Sequence, residues 1–451
     1  MITTDRQRPG RRAGQGPRAA GRRQGGAPGL SVATPARAGV AAIGGTFALT
    51  CLAWAFSSPH GAVPVTGQVS QLLGGLALTG FAALFVIATR WSVLDSLFHG
   101  LDKAYVAHRW LGVASISLVV AHVLTHGGAA AGGAPGPGSG HGPASGPWGV
   151  LAAVGFVALT VVALTATRIS HEAWKAVHRL MAVAYAVGLV HYYRASLYGP
   201  WGASPFSVWL DLVNLVGVAA AVYSVLLYER VAFRHTYQVT GLRQVGQGNL
   251  EITATATGRA LAWRPGQFTF VKIPRLKFGS HPFTIASAPG SRTVQLAIRA
   301  LGDHTTGLAG ALKVGDRLLT TAAHGRFDCT TGAPRQIWVA AGIGITPFRS
   351  FLHAGVPPRL TVDLFYSYAD QHAAYLDELA APPDNVRVHL VDTARAGRLT
   401  AEQIVRTAAP DQPVDVYFCG PRPMRDALAS GLAASPVPVR AFHVEEFGFG
   451  R

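Results

Sequence analysis

Two imidazoles fourteen residues apart, His108 and His122, stand in one apolar stretch, and two more, His178 and His191, stand thirteen apart in another. Histidine at membrane depth is costly unless it has a partner, so four of them in two matching segments point to ligation. At 1.5 Å rise per residue, His108 and His122 are separated by roughly 21 Å, about two thirds of a hydrocarbon core of about 30 Å. Fourteen residues leave them roughly 40° apart around a helix axis, so both address one neighbouring helix. The spacing is that of a ladder for two stacked cofactors.

The elements that must carry this ladder follow from composition. The 451 residues are 49% hydrophobic and 14% charged, too apolar for an ordinary soluble chain. The formal charge of +17 comes largely from an N-terminal tail and from the ends of apolar segments, which is a membrane-orientation signal and not a nucleic-acid footprint. Three cysteines, Cys51, Cys329 and Cys419, form no Cys-x-x-Cys, which argues against a disulfide scaffold, an iron–sulfur cluster or covalently attached haem. Residues 1–36, rich in Arg, Gly, Pro and Ala, read as a disordered basic cytoplasmic tail. A signal peptide competes with that reading, but the basic stretch is long and more spans follow, so a retained first helix is favoured.

Six apolar segments come next, at about 38–56, 70–89, 104–125, 148–167, 174–193 and 206–228, each long enough to span a bilayer. The second and fourth loops carry Arg90, Lys103, Arg168 and Lys175, whereas the first and third carry no Lys or Arg and the fifth only Arg194. The basic side is cytoplasmic, so both termini are expected in the cytoplasm of a multi-pass protein of the cell membrane. The third loop, 127–147, is Gly/Pro/Ala-rich and reads as an external linker in which His126 and His141 are a lesser metal-site candidate.

In this topology the third and fifth segments run the same way, so His108 lies level with His178 and His122 with His191. Two cross-helix pairs at two depths suit two six-coordinate haems, each iron held axially from opposite sides. Thirteen residues fall roughly 140° short of whole turns, so the fifth helix must bend or distort, for which Gly188 is the expected place. His126 shares a face with His108 but at roughly 27 Å falls at the membrane edge, which favours His122. His99 and His171 are expected in cytoplasmic loops and His60 outside. Arg109 and Arg179 follow the inner ligands, either to pair with haem propionates or to obey the positive-inside rule.

After Arg230 the pattern changes to short alternating runs such as Gln267-Phe-Thr-Phe-Val-Lys-Ile273, bounded by Gly and Pro, which predict a small antiparallel β-barrel over 231–330. Over 331–451, strands such as Ile337-Trp-Val-Ala-Ala-Gly and Asp415-Val-Tyr-Phe-Cys alternate with helical stretches, a Rossmann-like α/β nucleotide domain. The expected fold is therefore a six-helix transmembrane bundle over 37–230, then barrel, then α/β domain.

Arg264-Pro-Gly-Gln-Phe268 followed by His281-Pro-Phe-Thr-Ile-Ala-Ser287 resembles the flavin signature of the ferric reductase and NADPH oxidase family, part of the ferredoxin reductase superfamily. The resemblance runs from about residue 38 to the end. It implies that His281, Pro282, Phe283, Thr284 and Ser287 lie along an FAD isoalloxazine, with the Thr284 hydroxyl near its reactive edge. Arg299-Ala-Leu-Gly-Asp-His-Thr305 reads as a strand entering a helix start, where Thr305, free amides and Arg299 hold the flavin pyrophosphate. Ala323-His-Gly-Arg-Phe327 keeps Gly325 and Phe327 but lacks the family's first Gly-Pro, so the turn near the nicotinamide differs.

Ala341-Gly-Ile-Gly-Ile-Thr-Pro347 ends a strand and opens a helix; Gly342 and Gly344 permit close approach of a pyrophosphate, with Thr346 and Pro347 at the helix start. Paired with Cys419-Gly-Pro-Arg-Pro-Met424, it implies an NAD(P)H site in which Gly420 and Pro421 shape the nicotinamide pocket and Cys419 packs near the hydride-transfer carbon. Many relatives place an arginine for the NADPH 2′-phosphate where this chain has Ala369 followed by Asp370, so NADH is expected to serve at least comparably. The tail ends Glu445-Glu-Phe-Gly-Phe-Gly-Arg451, and the resemblance implies that Phe447, or else Phe449, stacks on the flavin and moves aside for the nicotinamide.

The expected activity is transfer of electrons from cytoplasmic NADH or NADPH, through FAD and two haem b groups, to an external acceptor, either a ferric chelate or oxygen. Two readings compete: a haem-bearing membrane sensor or anchor without catalysis, and a flavin reductase on a haem-free anchor. No calcium-binding loop is present in the sequence, so calcium gating within the chain is not expected.

Overall fold

The computed structural model describes residues 37–57, 64–130, 146–165, 171–197, 202–276, 278–299, 307–308, 310–369 and 372–445. The tail over 1–36, His60, His141, Arg168, Thr305, Asp370, Phe447 and Phe449 lie outside them.

Five helices among the described residues are long and apolar enough to cross a membrane. They are α1 (Arg37–Ser57), α2 (Val65–Ala88), α4 (Leu101–Ala130), α5 (Gly146–Thr165) and α8 (Pro205–Val222, continued to Val231), with the short α3 (Ser92–Leu97) between α2 and α4. The sixth expected span is divided. Helix α6 (His171–Arg179) stops before Leu180, and α7 (Met181–Leu197) restarts after it. Here the Leu180 and Val183 amides reach three residues back (3.0 and 2.9 Å), tighter than an α-turn. The distortion required by the thirteen-residue spacing is thus at Leu180 and not near Gly188; Gly188 sits within α7 against Phe156.

Helix α2 is the axis of the bundle. Its buried face, Ala77, Phe81, Leu84 and Ile87, packs with Ala104, Ala107 and Leu111 of α4, Phe156 of α5 and Tyr185 of α7. The rings of Phe81 and Phe156 stack at 3.9 Å. Outward-facing Val150, Val154, Leu164, Leu212 and Leu215 remain exposed, as helices that are apolar all round require when lipid is the solvent.

Strands β1 (His235–Gln244), β2 (Asn249–Ala256), β3 (Phe268–Ile273), β4 (Phe278–Thr284), β5 (Thr293–Arg299) and β6 (Arg317–Thr320) form one antiparallel sheet in the order β4-β3-β6-β1-β2-β5. A bridge between Ile285, just past β4, and Leu296 of β5 brings the two edges together into a near-barrel, which removes exposed strand edges. Strands β7 (Arg335–Ala341), β8 (Thr361–Tyr368), β9 (Val386–Asp392), β10 (Val414–Cys419) and β11 (Val439–Glu445) form a parallel sheet in the order β11-β10-β7-β8-β9. Its strands are buried on both faces, as crossover helices demand, with Trp338, Leu364 and Tyr417 on one side and Val339, Phe365 and Phe418 on the other.

The barrel meets the bundle at an aromatic junction. Phe268 and Phe270 pack with Leu101 of α4, and Arg90 lies over the rings of Phe270 (4.7 Å) and Tyr228 (4.9 Å). Arg90 ends α2 with a left-handed φ of 55°, a costly conformation for a non-glycine that places its guanidinium between the two domains. Asp95 of α3 accepts from the Gly325 amide (3.4 Å) and pairs with Arg326 (3.8 Å), while Lys272 pairs with Glu229 (3.0 Å).

Candidate active site

The structure brings the four intramembrane histidines together in the two expected pairs. His108 and His178 stand with ring centroids 6.2 Å apart at the barrel end of the bundle, and His122 and His191 stand 6.2 Å apart at the far end. Two imidazole nitrogens sharing one ion at about 2 Å each are about 4 Å apart. Rings at this centroid separation meet that distance when their near nitrogens face each other. The two inner imidazoles are buried from water and their 6.2 Å separation leaves room for one iron between facing ring nitrogens, so the donor set fits a haem iron. His126 stacks on His122 one turn away (6.4 Å) and is exposed.

Small residues make room for the outer pair. A β-carbon on Gly149 of α5 would come 2.7 Å from Cε1 of His191, and one on Gly74 of α2 would come 3.2 Å from Nδ1 of His122. Neither glycine is singled out by motif or by periodicity. Arg179, one of two candidates for a propionate partner, lies 4.0 Å from Glu229 instead, and Arg109 is exposed on α4.

In the barrel, β3 and β4 pair so that Thr284 is opposite Phe268 and Phe283 opposite Thr269. Thr284 is buried, and its hydroxyl has no partner, which fits a residue kept for a flavin ring edge. His281 and Pro282 are half-buried beside it and Phe283 is buried. The Ser287 hydroxyl is already engaged, accepting from the Gln295 amide (3.1 Å), and its carbonyl accepts from Ser350 (2.8 Å) of the next domain.

From Thr284 the chain leads directly to the bundle. Phe268, its cross-strand partner, packs on Leu101, two helical turns before His108 on α4. The flavin signature and the inner histidine pair are thus connected by one buried apolar contact.

The nucleotide motifs converge at the ends of β7 and β10. Gly342–Ile345 forms a single tight turn, followed by α9 (Thr346–Ala354) with Pro347 in its first turn and the Thr346 hydroxyl donating to the Ile343 carbonyl (2.9 Å). A β-carbon on Gly344 would lie 2.8 Å from the carbonyl carbon of Cys419, and one on Gly420 would lie 2.8 Å from Cβ of Ala341. Arg299, at the end of β5, points its guanidinium to within 3.5 Å of where a Gly342 side chain would start, so it stands between barrel and glycine turn. Cys419 is fully buried; burial, with Glu445 beside it in register, pushes its thiol well above the usual range, so it remains protonated and serves by shape.

A further group carries no motif. Arg349 of α9 is buried, donates to the Ala286 carbonyl (3.2 Å) and Gln295 (3.0 Å), and pairs with Glu251 (3.3 Å) and Glu378 (2.6 Å), while stacking on Tyr375 at 4.3 Å. Burial opposes ionisation of Glu378, but His353, Arg349 and Arg243 hold its carboxyl well below the usual range. This clamp fixes the nucleotide domain to the barrel beside the flavin signature. Its only sequence trace is an arginine on the face of a helix following the glycine turn.

Comparison with known proteins matches three families along the chain. Residues 73–189 match the ferric reductase like transmembrane component, 236–326 an FAD-binding domain and 338–430 an oxidoreductase NAD-binding domain. Among curated relatives, the ferredoxin reductase component of 3-ketosteroid-9-alpha-monooxygenase from Mycobacterium tuberculosis is 31% identical over 42% of this chain and 56% of that protein. The Arabidopsis thaliana protein described as respiratory burst oxidase homolog H is 34% identical over 29% of this chain and 14% of that protein. Phthalate dioxygenase reductase, a solved structure, aligns at 19% identity and a TM-score of 0.41, over 47% of this chain and 68% of its own. The chain spans about half the length of the bacterial reductases it matches. With a ferric reductase-like bundle, an FAD-binding domain and an NAD-binding domain in one sequence, the chain is a multi-pass membrane oxidoreductase whose domains match the ferric reductase and NADPH oxidase family.

Proposed function

We propose that this protein moves electrons from NADH or NADPH across the membrane to an acceptor on the opposite face, with FAD in the barrel and two haem b groups between the histidine pairs. The observation that carries the reading is the stacking of two 6.2 Å imidazole pairs at two depths directly above the flavin signature. The basic second and fourth loops support a cytoplasmic side for the barrel and both termini at the cell membrane. FAD, when bound, converts a two-electron hydride donor into single-electron deliveries, and haem iron takes one electron at a time.

The chain's own residues hold and orient. Gly344 and Gly420 let the ends of β7 and β10 close on each other at Cys419 and Ala341, and the start of α9 beside them favours the phosphate charge of a dinucleotide. Arg299 supplies a cation where the two nucleotides would meet. The Thr284 hydroxyl is available to hydrogen-bond the flavin edge, and Phe268 and Leu101 exclude water from the path to His108. The acceptor is a ferric chelate or oxygen, the latter yielding superoxide.

Anaerobic addition of NADH to the purified, FAD-supplemented protein tests the reading. Paired low-spin haem bands that become reduced are expected; absence of haem, or haem that neither nucleotide reduces, removes it. Under air, product assay with and without superoxide dismutase, with a ferric chelate competing, separates the two acceptors.

A further inference from the structure

The two histidine pairs differ in what stands behind the ligands. At the inner pair the Leu84 backbone stands against the His108 imidazole and Trp174 stacks on the His178 ring at 5.0 Å, with no hydroxyl bonded to either Nδ1. At the outer pair, Nδ1 of His122 lies 2.7 Å from the backbone carbonyl of Ser70 and 3.0 Å from its hydroxyl oxygen. A carbonyl only accepts, so Nδ1 of His122 carries the proton and Nε2 bears the lone pair. The Ser70 hydroxyl in turn donates to the His122 backbone carbonyl at 3.2 Å, so one residue of α2 grips both the ring and the main chain of the ligand.

Ser70 is 2% exposed on a lipid-embedded helix, where a hydroxyl persists only if its hydrogen bonds are satisfied locally. Gly74, one turn further along α2, removes the side chain that would otherwise hold the two helices apart at this point.

We propose that Ser70 is a positioning residue whose hydroxyl, beside the carbonyl that fixes the tautomer of His122, holds the orientation of that ring and thereby lowers the reduction potential at the outer site. This rests on the reading that the histidine pairs hold haem. A hydrogen bond accepted from the distal N–H makes an imidazole a stronger donor, which favours the oxidised, more positive iron. At the inner rung the Leu84 backbone stands against His108 in the corresponding place, so what sets the outer rung apart is the Ser70 hydroxyl beside its carbonyl. An outer site held at lower potential has more driving force toward a weakly oxidising external acceptor.

Redox titration of the full-length protein, followed optically and by low-spin EPR, tests this with Ser70→Ala and Ser70→Thr. In Ser70→Ala one of the two midpoints is expected to rise by about a tenfold step in the one-electron constant, 59 mV, with its EPR signature altered and the other midpoint unmoved. Ser70→Thr, which keeps the hydroxyl, is expected to retain wild-type values. Unchanged midpoints in Ser70→Ala, equal movement of both, or equal shifts in Ala and Thr variants overturn the proposal. If the wild-type protein lacks low-spin haem bands before titration, the parent reading fails and this one with it; bands present with unmoved midpoints overturn only the role of Ser70.

Discussion

Gly344 touches Cys419: a β-carbon at Gly344 would sit 2.8 Å from the Cys419 carbonyl carbon and 3.4 Å from its Sγ. The two halves of the nucleotide motif therefore share one van der Waals surface, and a single methyl group must separate them. Gly344→Ala is expected to lower kcat/KM for NADH by 10- to 100-fold while FAD content and chemically reduced haem spectra stay as in the wild type. Steady-state kinetics with a dye acceptor, together with flavin quantitation, check this; unchanged kcat/KM would show that the turn relaxes at no cost.

Arg349 carries the coupling between barrel and nucleotide domain. Its partner Glu251 has a side chain 3% exposed, so removing the guanidinium leaves a buried carboxylate with Arg243 (3.0 Å) as its remaining ion-pair partner. Breaking one partner of such a pair typically costs about 3–5 kcal/mol. Because Arg243 still pairs with Glu251 and Glu378, Arg349→Met is expected to destabilise the soluble module by about 1–3 kcal/mol, below that range, and to slow flavin reduction by NADH. Lysine should rescue poorly, because it cannot reach Ala286, Gln295, Glu251 and Glu378 together from one planar fork. Thermal unfolding of both variants is the measurement, and a loss below about 1 kcal/mol in Arg349→Met argues against the clamp.

What could be read in advance was what repeats or matches a motif. Paired histidines in apolar segments, the His281–Ser287 run and the two glycine motifs announce their chemistry by residue type and spacing. The interruption at Leu180 carries no Gly or Pro to mark it; only the mismatch between a thirteen-residue spacing and helical geometry required it, and that mismatch does not say where. Ser70, Gly149, Asp95 and Arg349 act through contacts with distant segments, as in the 52-residue separation of Ser70 and His122, so their roles exist only once the chain has folded. A serine or glycine in an apolar helix is at most a hint of close helix contact.

His324 makes the junction between barrel and bundle sensitive to acid. It is 4% exposed among Phe268, Phe270 and Arg90, and burial, then the charge of Arg90, lowers its pKa from 6.5 to about 4. A base whose folded pKa is depressed contributes stability that is complete above about pH 6.5 and is lost as pH falls toward about 4. The shift corresponds to at most about 3 kcal/mol. Asp95, whose pKa burial raises, works in the opposite sense, since a raised carboxyl loses its contribution as pH increases. His324→Phe removes the first effect and keeps the apolar packing. Thermal midpoints measured from pH 7.5 to 4.5 should fall more steeply for the wild type than for His324→Phe; parallel curves would assign the acid sensitivity elsewhere.

Nucleotide choice turns on the end of β8. Ala369 follows that strand and is exposed, and Tyr368 before it is in register with Asp392 of β9, whose carboxylate pairs with Arg395 at 3.4 Å. A small residue beside a carboxylate offers no cation to a 2′-phosphate and tolerates a ribose hydroxyl. NADH is therefore expected to be used at least as well as NADPH. Ala369→Arg places a guanidinium at this corner, and one charge-assisted hydrogen bond of about 1.5 kcal/mol or more corresponds to at least a tenfold swing toward NADPH in the ratio of kcat/KM values. Steady-state kinetics with both nucleotides decide it. A wild-type preference for NADPH of a hundredfold or more, or an unchanged ratio in the variant, would place 2′-phosphate recognition at another residue.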